Sequence, residues 1–207
     1  LNNGQAIFAI NADGNQQVVS RSLNRGVNWA VVLEVSYTLG KLGLFVPHPT
    51  DARYLYIWGP REGSRSRETI RCYDLASGSG PSSRSYTETL NAAKLNPIRG
   101  PLNSKFDARN MAINPNDPDM MVVTDDLFGA ELPAILSLDG GATWQSLADR
   151  LPSTKHIGVE IGHFGDIYVA GPHGQWIVEP PLGNPSSAFD ALGGLRPAYI
   201  LTSPPTF

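Results

Sequence analysis

An eight-residue pattern occurs twice in this chain of 207 residues, and it limits what the chain can fold into. Ser137-Leu138-Asp139-Gly140-Gly141-Ala142-Thr143-Trp144 reads Ser-x-Asp-x-Gly-x-x-Trp. Ser22-Leu23-Asn24-Arg25-Gly26-Val27-Asn28-Trp29 repeats it with Asn for Asp. Such a segment is a tight hairpin turn. The side chain of Asp139 or Asn24 can accept bonds from the turn amides. Gly141 or Gly26 can take positive φ without strain. The indole returns onto the sheet as a large apolar anchor whose N–H seeks an acceptor. Each conserved-looking letter thus has a structural job, so Ser22, Asn24, Gly26, Trp29, Ser137, Asp139, Gly141 and Trp144 are assigned to the scaffold rather than to chemistry.

A short strand recurs along the chain as Ala6-Ile7-Phe8-Ala9-Ile10, Tyr54-Leu55-Tyr56-Ile57-Trp58, Met120-Met121-Val122-Val123-Thr124 and Ile167-Tyr168-Val169-Ala170. Phe8, Tyr56, Val122 and Tyr168 align at spacings of 48, 66 and 46 residues. Two of these match the ~40–50 residues of a four-stranded propeller blade. The longer one needs an insertion, for which the Gly/Ser/Pro-rich stretch Ser77 to Pro101 is the candidate. The turns are in register with the strand: 21 residues separate Phe8 from Trp29, and 22 separate Val122 from Trp144. Pro49-Thr50-Asp51 and Pro115-Asn116-Asp117 each sit between two strands, where proline stops the ladder and the Asx side chain bonds the turn. In the fourth repeat His163-Phe164-Gly165-Asp166 stands in that place. With 21 Gly, 17 Pro and only 17% charged residues, the composition suits many short strands and not a helical bundle.

These residues resemble the Asp-box (BNR) repeat family of β-propellers, which includes sialidases, endoglucanases acting on xyloglucan, sortilin-type receptors and photosystem assembly factors. Ser137 to Trp144 matches the family box in full and Ser22 to Trp29 with one substitution. Arg71-Cys72-Tyr73-Asp74-Leu75 stands where a third box belongs but lacks the Gly and Trp. The resemblance covers about residues 5 to 180 and implies an all-β fold, a β-propeller of four-stranded antiparallel blades. We expect a single propeller-type domain over 1–207, with repeats at about 5–33, 42–90, 107–150 and 156–180 and a tail strand at about 197–203. That tail is expected to complete the first blade, which lacks its opening strand. Family propellers close with six or more blades. About four repeats, in a chain opening on Leu1, therefore lead us to expect part of a larger propeller or assembly.

The resemblance implies two kinds of chemistry to look for. Sialidases of the family hold a carboxylate with three arginines, the first in an Arg-Ile-Pro or Arg-Val-Pro motif, and no such tripeptide occurs here. Arg53, Arg109 and Arg196 lie near expected strands. A glycosidase needs two carboxyl groups across a cleft, and Asp107, Asp125, Asp126, Glu160 and Asp166 are available. Asp125 and Asp126 end a strand and lead into a loop, which makes them the weak catalytic candidates beside the plainer reading of a solvated strand end. Asn114 to Asp119 is oxygen-rich but lacks the spacing of a calcium loop, and the repeat alignment makes it a turn. His48, His156, His163 and His173 have no metal-ligand spacing. No metal and no cofactor is expected.

For binding, Arg61, Arg65, Arg67 and Arg71 share one segment with Glu62 and Glu68, suited to an acidic partner or a glycan, or simply to a solvated hairpin tip. Trp58 and Trp176 lie outside the octapeptides and are candidate sugar-stacking platforms if exposed. Cys72 reads as a buried strand residue, and a lone cysteine excludes an internal disulfide. A net charge of −3 argues against a nucleic-acid partner. No run approaches the ~18 apolar residues of a membrane span. We expect a non-catalytic propeller module that binds a protein or glycan, or a structural part of a larger extracellular or virion-like assembly. The alternative is a fragment of a glycoside hydrolase whose other blades carry the missing residues.

Overall fold

Short apolar runs bounded by Gly, Pro, Asn and Asp cannot bury themselves as helices, and in this chain they pair as hairpins. The structure is a computed structural model that describes residues 6–13, 16–36, 43–59, 69–99, 106, 108–125, 134–151, 158–162, 165–172, 174–178 and 199–200. Its contacts divide the chain into two compact units, Leu1–Ala93 and Lys94–Phe207. Each unit holds two antiparallel sheets whose strands follow one another in chain order.

In the first unit, sheet 1 comprises β1 (Ile7–Asp13), β2 (Gln16–Ser22) and β3 (Ala30–Ser36). Sheet 2 comprises β4 (Leu44–Pro47), β5 (Tyr54–Trp58), β6 (Ile70–Asp74) and β7 (Tyr86–Leu90). In the second unit, sheet 3 comprises β8 (Ala108–Ile113), β9 (Met121–Asp125), β10 (Ala134–Ser137) and β11 (Gln145–Ser146). Sheet 4 comprises β12 (Gly158–Ile161), β13 (Ile167–Gly171), β14 (Gly174–Val178) and β15 (Tyr199–Ile200). The four aligned strands fall on β1, β5, β9 and β13. Sheet 1 therefore lacks, among the described residues, the opening strand that the other three possess.

Two expectations need correction. The tail strand does not complete sheet 1: Tyr199 and Ile200 pair with Ile177 and Trp176 on β14. The edge of β14 offers backbone donors and acceptors whatever its side chains are, so side-chain pattern could not assign the tail a partner. The stretch Ser77 to Pro101 is not an insertion throughout. It contains a 3₁₀ turn at Pro81–Ser83, all of β7, and the helix α1 (Ala92–Arg99). Tyr86-Thr87-Glu88-Thr89-Leu90 has the aromatic and β-branched residues of a strand, and its Ser/Gly/Pro flanks concealed it.

The short turns close as the Asx pattern requires. Before β5, the amide of Arg53 donates to Asp51 Oδ1 at 2.8 Å and that of Tyr54 to the Asp51 carbonyl at 3.1 Å. Before β9, the amide of Asn116 donates to Asn114 Oδ1 at 2.9 Å and that of Met120 to the Asp117 carbonyl at 2.9 Å. Before β13 glycine does the work, with Gly165 at φ +89 and its amide bonded to the Gly162 carbonyl at 3.0 Å.

Each sheet has two faces, fixed by the pairing register. The leading face carries Ile7, Leu55, Met121 and Ile167, and the trailing face carries their successors Phe8, Tyr56, Val122 and Tyr168. In the first unit, Val19, Leu33 and Val35 on the trailing face of sheet 1 form one core with Leu55, Ile57 and Tyr73 on the leading face of sheet 2. In the second unit, Ala112, Val122 and Leu136 on the trailing face of sheet 3 form another with Ile167, Val169 and Trp176 on the leading face of sheet 4. Both cores obey one rule, trailing face onto leading face. Burial of such side chains is worth ~1.5–3 kcal/mol each.

One glycine tests the corner after β6. Gly78 has φ +78, and a Cβ there would lie 2.5 Å from the Ser83 carbonyl oxygen. Gly80 is extended at φ −158, and a Cβ there would meet nothing within 4 Å. Gly78→Ala should cost about 1–3 kcal/mol in chemical denaturation, whereas Gly80→Ala should be near neutral.

Candidate functional site

The two octapeptide turns share one set of hydrogen bonds, at the end of β2 and at the end of β10. Ser22 and Ser137 are both buried, and each hydroxyl accepts the amide of Gly26 or Gly141 at 2.8 Å. The same hydroxyls donate to Asn24 Oδ1 at 3.0 Å and Asp139 Oδ1 at 2.9 Å. Those oxygens also accept the amides of Asn28 and Thr143, each at 2.8 Å. The indole N–H of Trp29 donates to the Gly26 carbonyl at 2.9 Å, and that of Trp144 to the Gly141 carbonyl at 3.1 Å. Gly26 and Gly141 have φ +88 and +87, the left-handed conformation the pattern implies. Arg25 is forced to φ +57 where the other turn has Gly140 at +67. Burial works to raise the Asp139 pKa, but bonds from Thr143, Ser137 and Ala142 outweigh it and hold the carboxyl below its ordinary value.

The turns differ in what surrounds them. Lys94 of α1 donates to the Gly141 carbonyl at 2.6 Å, so that oxygen has two donors. Trp144 is buried at 8% exposure, but Trp29 is 46% exposed, which corrects the expectation that both indoles are buried anchors. The partial third box also closes differently. In place of the Gly and Trp, Asp74 receives both arms of Arg53, at 2.7 Å from Nε and 2.5 Å from Nη2. Asp74 Oδ1 accepts the Ala76 amide at 2.9 Å as well. The Arg53 fork, with help from the turn amides, lowers the Asp74 pKa to about 2. Two further arginines stitch sheets 1 and 2 together. Arg21 donates to the Ala52 carbonyl at 2.7 Å, and Arg84 to the carbonyls of Ser77, Gly78 and Val32.

The residues singled out from sequence do not converge on one cleft. Asp125 ends β9 and is buried, so it is neither a solvated strand end nor an open cleft acid. Asp126, Asp107 and the arginines Arg61, Arg65 and Arg67 lie outside the described residues. So do Arg196, His156, His163 and His173. Trp58 and Trp176 are 3% and 4% exposed. Their faces are taken up by packing, and neither is a platform for sugar. Arg71 is buried and lies over the rings of Tyr73 and Tyr86, at 5.7 and 5.3 Å from the centroids. Arg53 is committed to Asp74. Cys72 is half-buried on β6, and burial raises its thiol pKa, which disfavours the nucleophilic thiolate. No group of three or more His, Cys, Asp or Glu among the described residues is placed to hold a metal ion. No helix among them is long and apolar enough to cross a membrane.

What the structure does present is surface that the repeat elsewhere buries. Ile7 is 41% exposed, while its counterparts Leu55, Met121 and Ile167 are buried. Val31 on the same leading face and Trp29 beside it are also exposed. Gly26 joins the patch, since a Cβ there would lie 3.8 Å from Trp29 and 3.9 Å from Ile7. In sheet 4 it is the trailing face that is open. Tyr168 is 44% exposed there, while its counterparts Tyr56 and Val122 are buried. Around it, Glu160, Tyr168, Ala170 and Gln175 help to line a shallow hollow of about 290 Å³.

Two measurements check this account of the turns. Trp144→Ala should destabilise the protein by about 3–5 kcal/mol, and Trp29→Ala by only about 1 kcal/mol, mainly a lost hydrogen bond. Near-equal losses would mean that the indoles are packed alike. The Asp74 carboxyl has a folded pKa near 2 against an ordinary 3.8, so its contribution to stability is present above about pH 4 and is lost as pH falls towards 2. Asp74→Asn should flatten that acid limb in thermal melts and leave the neutral-to-alkaline side unchanged in shape.

No family model matches the chain, and no curated protein does. Among solved structures it is similar to YCF48 from Cyanidioschyzon merolae, with a TM-score of 0.54 and 13% identity over 93% of this chain and 57% of that one. It is also similar to the GH74 enzyme of Niastella koreensis, with a TM-score of 0.47 and 14% identity over 84% of this chain and 28% of that one. The chain thus spans well under two thirds of the length of either structure. At such identities the likeness concerns the fold, which is all-β and of the β-propeller kind, with blades of three or four antiparallel strands.

Proposed function

We propose that this chain is an Asp-box propeller module that works by binding another macromolecule and not by catalysis. The observation that carries this reading is the apolar patch on the leading face of sheet 1, where Ile7, Trp29 and Val31 stand in water although Leu55, Met121 and Ile167, which correspond to Ile7, are buried. An exposed apolar patch on a rigid sheet marks an interaction surface. The two octapeptides support the family reading through their identical bonding, and they hold the sheet corners rigid beside that surface. Of the two partner classes expected from the sequence, protein is favoured. The indoles of Trp58 and Trp176 are packed inside, whereas the exposed patch is aliphatic apart from Trp29, which suits an apolar protein surface better than a glycan.

The test has two arms. The purified chain, offered sialosides and β-glucans, should show no turnover. Its leading face should bind a hydrophobic dye, and the double substitution Trp29→Ser with Val31→Ser should remove most of that signal without unfolding the protein. Turnover that disappears in a folded Asp125→Asn variant would overturn the non-catalytic reading in favour of a glycoside hydrolase.

A further inference from the structure

We propose that the open leading face of sheet 1 is covered by a second copy of this chain, which seats the open trailing face of its own sheet 4 there. The proposal rests on reading the leading face as an interaction surface, and it names the partner.

The packing rule within the chain identifies the occupant. The core of each unit is made by a trailing face lying on a leading face. Sheet 1 has its trailing face used over Val19, Leu33 and Val35, with Ile10 at its margin exposed, and its leading face open around Ile7 and Val31. Sheet 4 has its leading face used and its trailing face open. One molecule therefore carries one unused surface of each kind, and a second copy offers the complement of both. The exposed residues are also those that the rule would bury. Ile7 occupies the position of Leu55 and Ile167, which lie in the two cores, and Tyr168 that of Val122, which lies in one of them.

The two surfaces suit each other chemically. The leading face has an apolar patch at one end, with Ile7, Trp29 and Val31 exposed and Ala9 half-buried, and polar Asn11, Gln16, Glu34 and Ser36 further along it. The trailing face of sheet 4 has Tyr168 and the half-buried Ala170 and Ile177 at its middle, with exposed Glu160 and Gln175 beside them. An apolar centre with a polar surround is the anatomy of a protein interface. The hollow of about 290 Å³ over that face leaves room for side chains from an opposing sheet. Because the surfaces differ, the contact is heterologous, head to tail, and not a symmetric face-to-face dimer.

The head-to-tail arrangement makes a specific experiment possible. The chain should sediment at a mass of two copies or more at micromolar concentration. Val31→Glu on the leading face and Tyr168→Glu on the trailing face should each shift the protein to the mass of one copy, with the circular dichroism spectrum unchanged. Ile7→Ser, a neutral change, should weaken association in the same direction. An equimolar mixture of the Val31→Glu and Tyr168→Glu proteins should regain a two-copy species, because one intact leading face then meets one intact trailing face. A wild-type chain that stays single up to hundreds of micromolar overturns the proposal. Self-association lost in Val31→Glu but retained in Tyr168→Glu also overturns it, since that is the signature of two leading faces meeting. Neither outcome touches the non-catalytic reading, which stands or falls on turnover.

Discussion

A β-sheet with apolar residues on both faces cannot be finished alone. Sheet 2 has that character: Leu55 and Ile57 lie on one face with Tyr56 and Trp58 on the other, and all four are buried. Water must be excluded from both sides, so such sheets stack, and each stacking leaves a new unsatisfied face at the end of the series. The trailing-onto-leading rule is the geometric form of that constraint. It gives the two cores their composition. It also decides which of two equivalent residues is exposed, as with Ile7 against Leu55 and Tyr168 against Val122.

The corners are the second requirement, and the chain meets it in two chemically distinct ways. In sheets 1 and 3 a buried serine hydroxyl holds the glycine amide and the Asx oxygen together. That arrangement is neutral with Asn24 and anionic with Asp139. The near-identical distances show that the acceptor geometry, not the charge, closes the turn. In sheet 2 a bidentate Arg53–Asp74 pair does the same work, at 49% and 21% side-chain exposure. An exposed pair of this kind is open to screening by salt. The octapeptide corners rest on bonds to buried hydroxyls, which salt does not screen.

Much of this was legible in the sequence, for identifiable reasons. The period-2 strands, the octapeptides and the Pro-Asx turns are local signals, and each was written in adjacent residues. They gave the fold class and, among the described residues, the missing opening strand of sheet 1. Contacts between elements were not legible. Nothing near Lys94 foretells that its ammonium reaches the Gly141 carbonyl, or that Arg84 gathers three carbonyls from two sheets. The partner of the tail strand was missed for the same reason, because an edge is recognised by backbone groups common to all sequences. The candidate site fared worst. Trp58 and Trp176 had the composition of a sugar platform, but exposure is a property of the stack and not of the segment.

Trp29 and Trp144 make that last point in its sharpest form. They end the same octapeptide, donate to the same carbonyl position, and follow glycines with φ values one degree apart. Local sequence and local geometry are matched, yet one indole is 46% exposed and the other 8%. The difference lies in the surroundings of each turn. Met121 and Ile135, on the leading face beside Trp144, are buried, while Ile7 and Val31 beside Trp29 are not. The exposure of Trp29 is thus a property of its surroundings and not of its turn. The turn that presents it was built, residue for residue, to the same plan as a turn whose indole is enclosed.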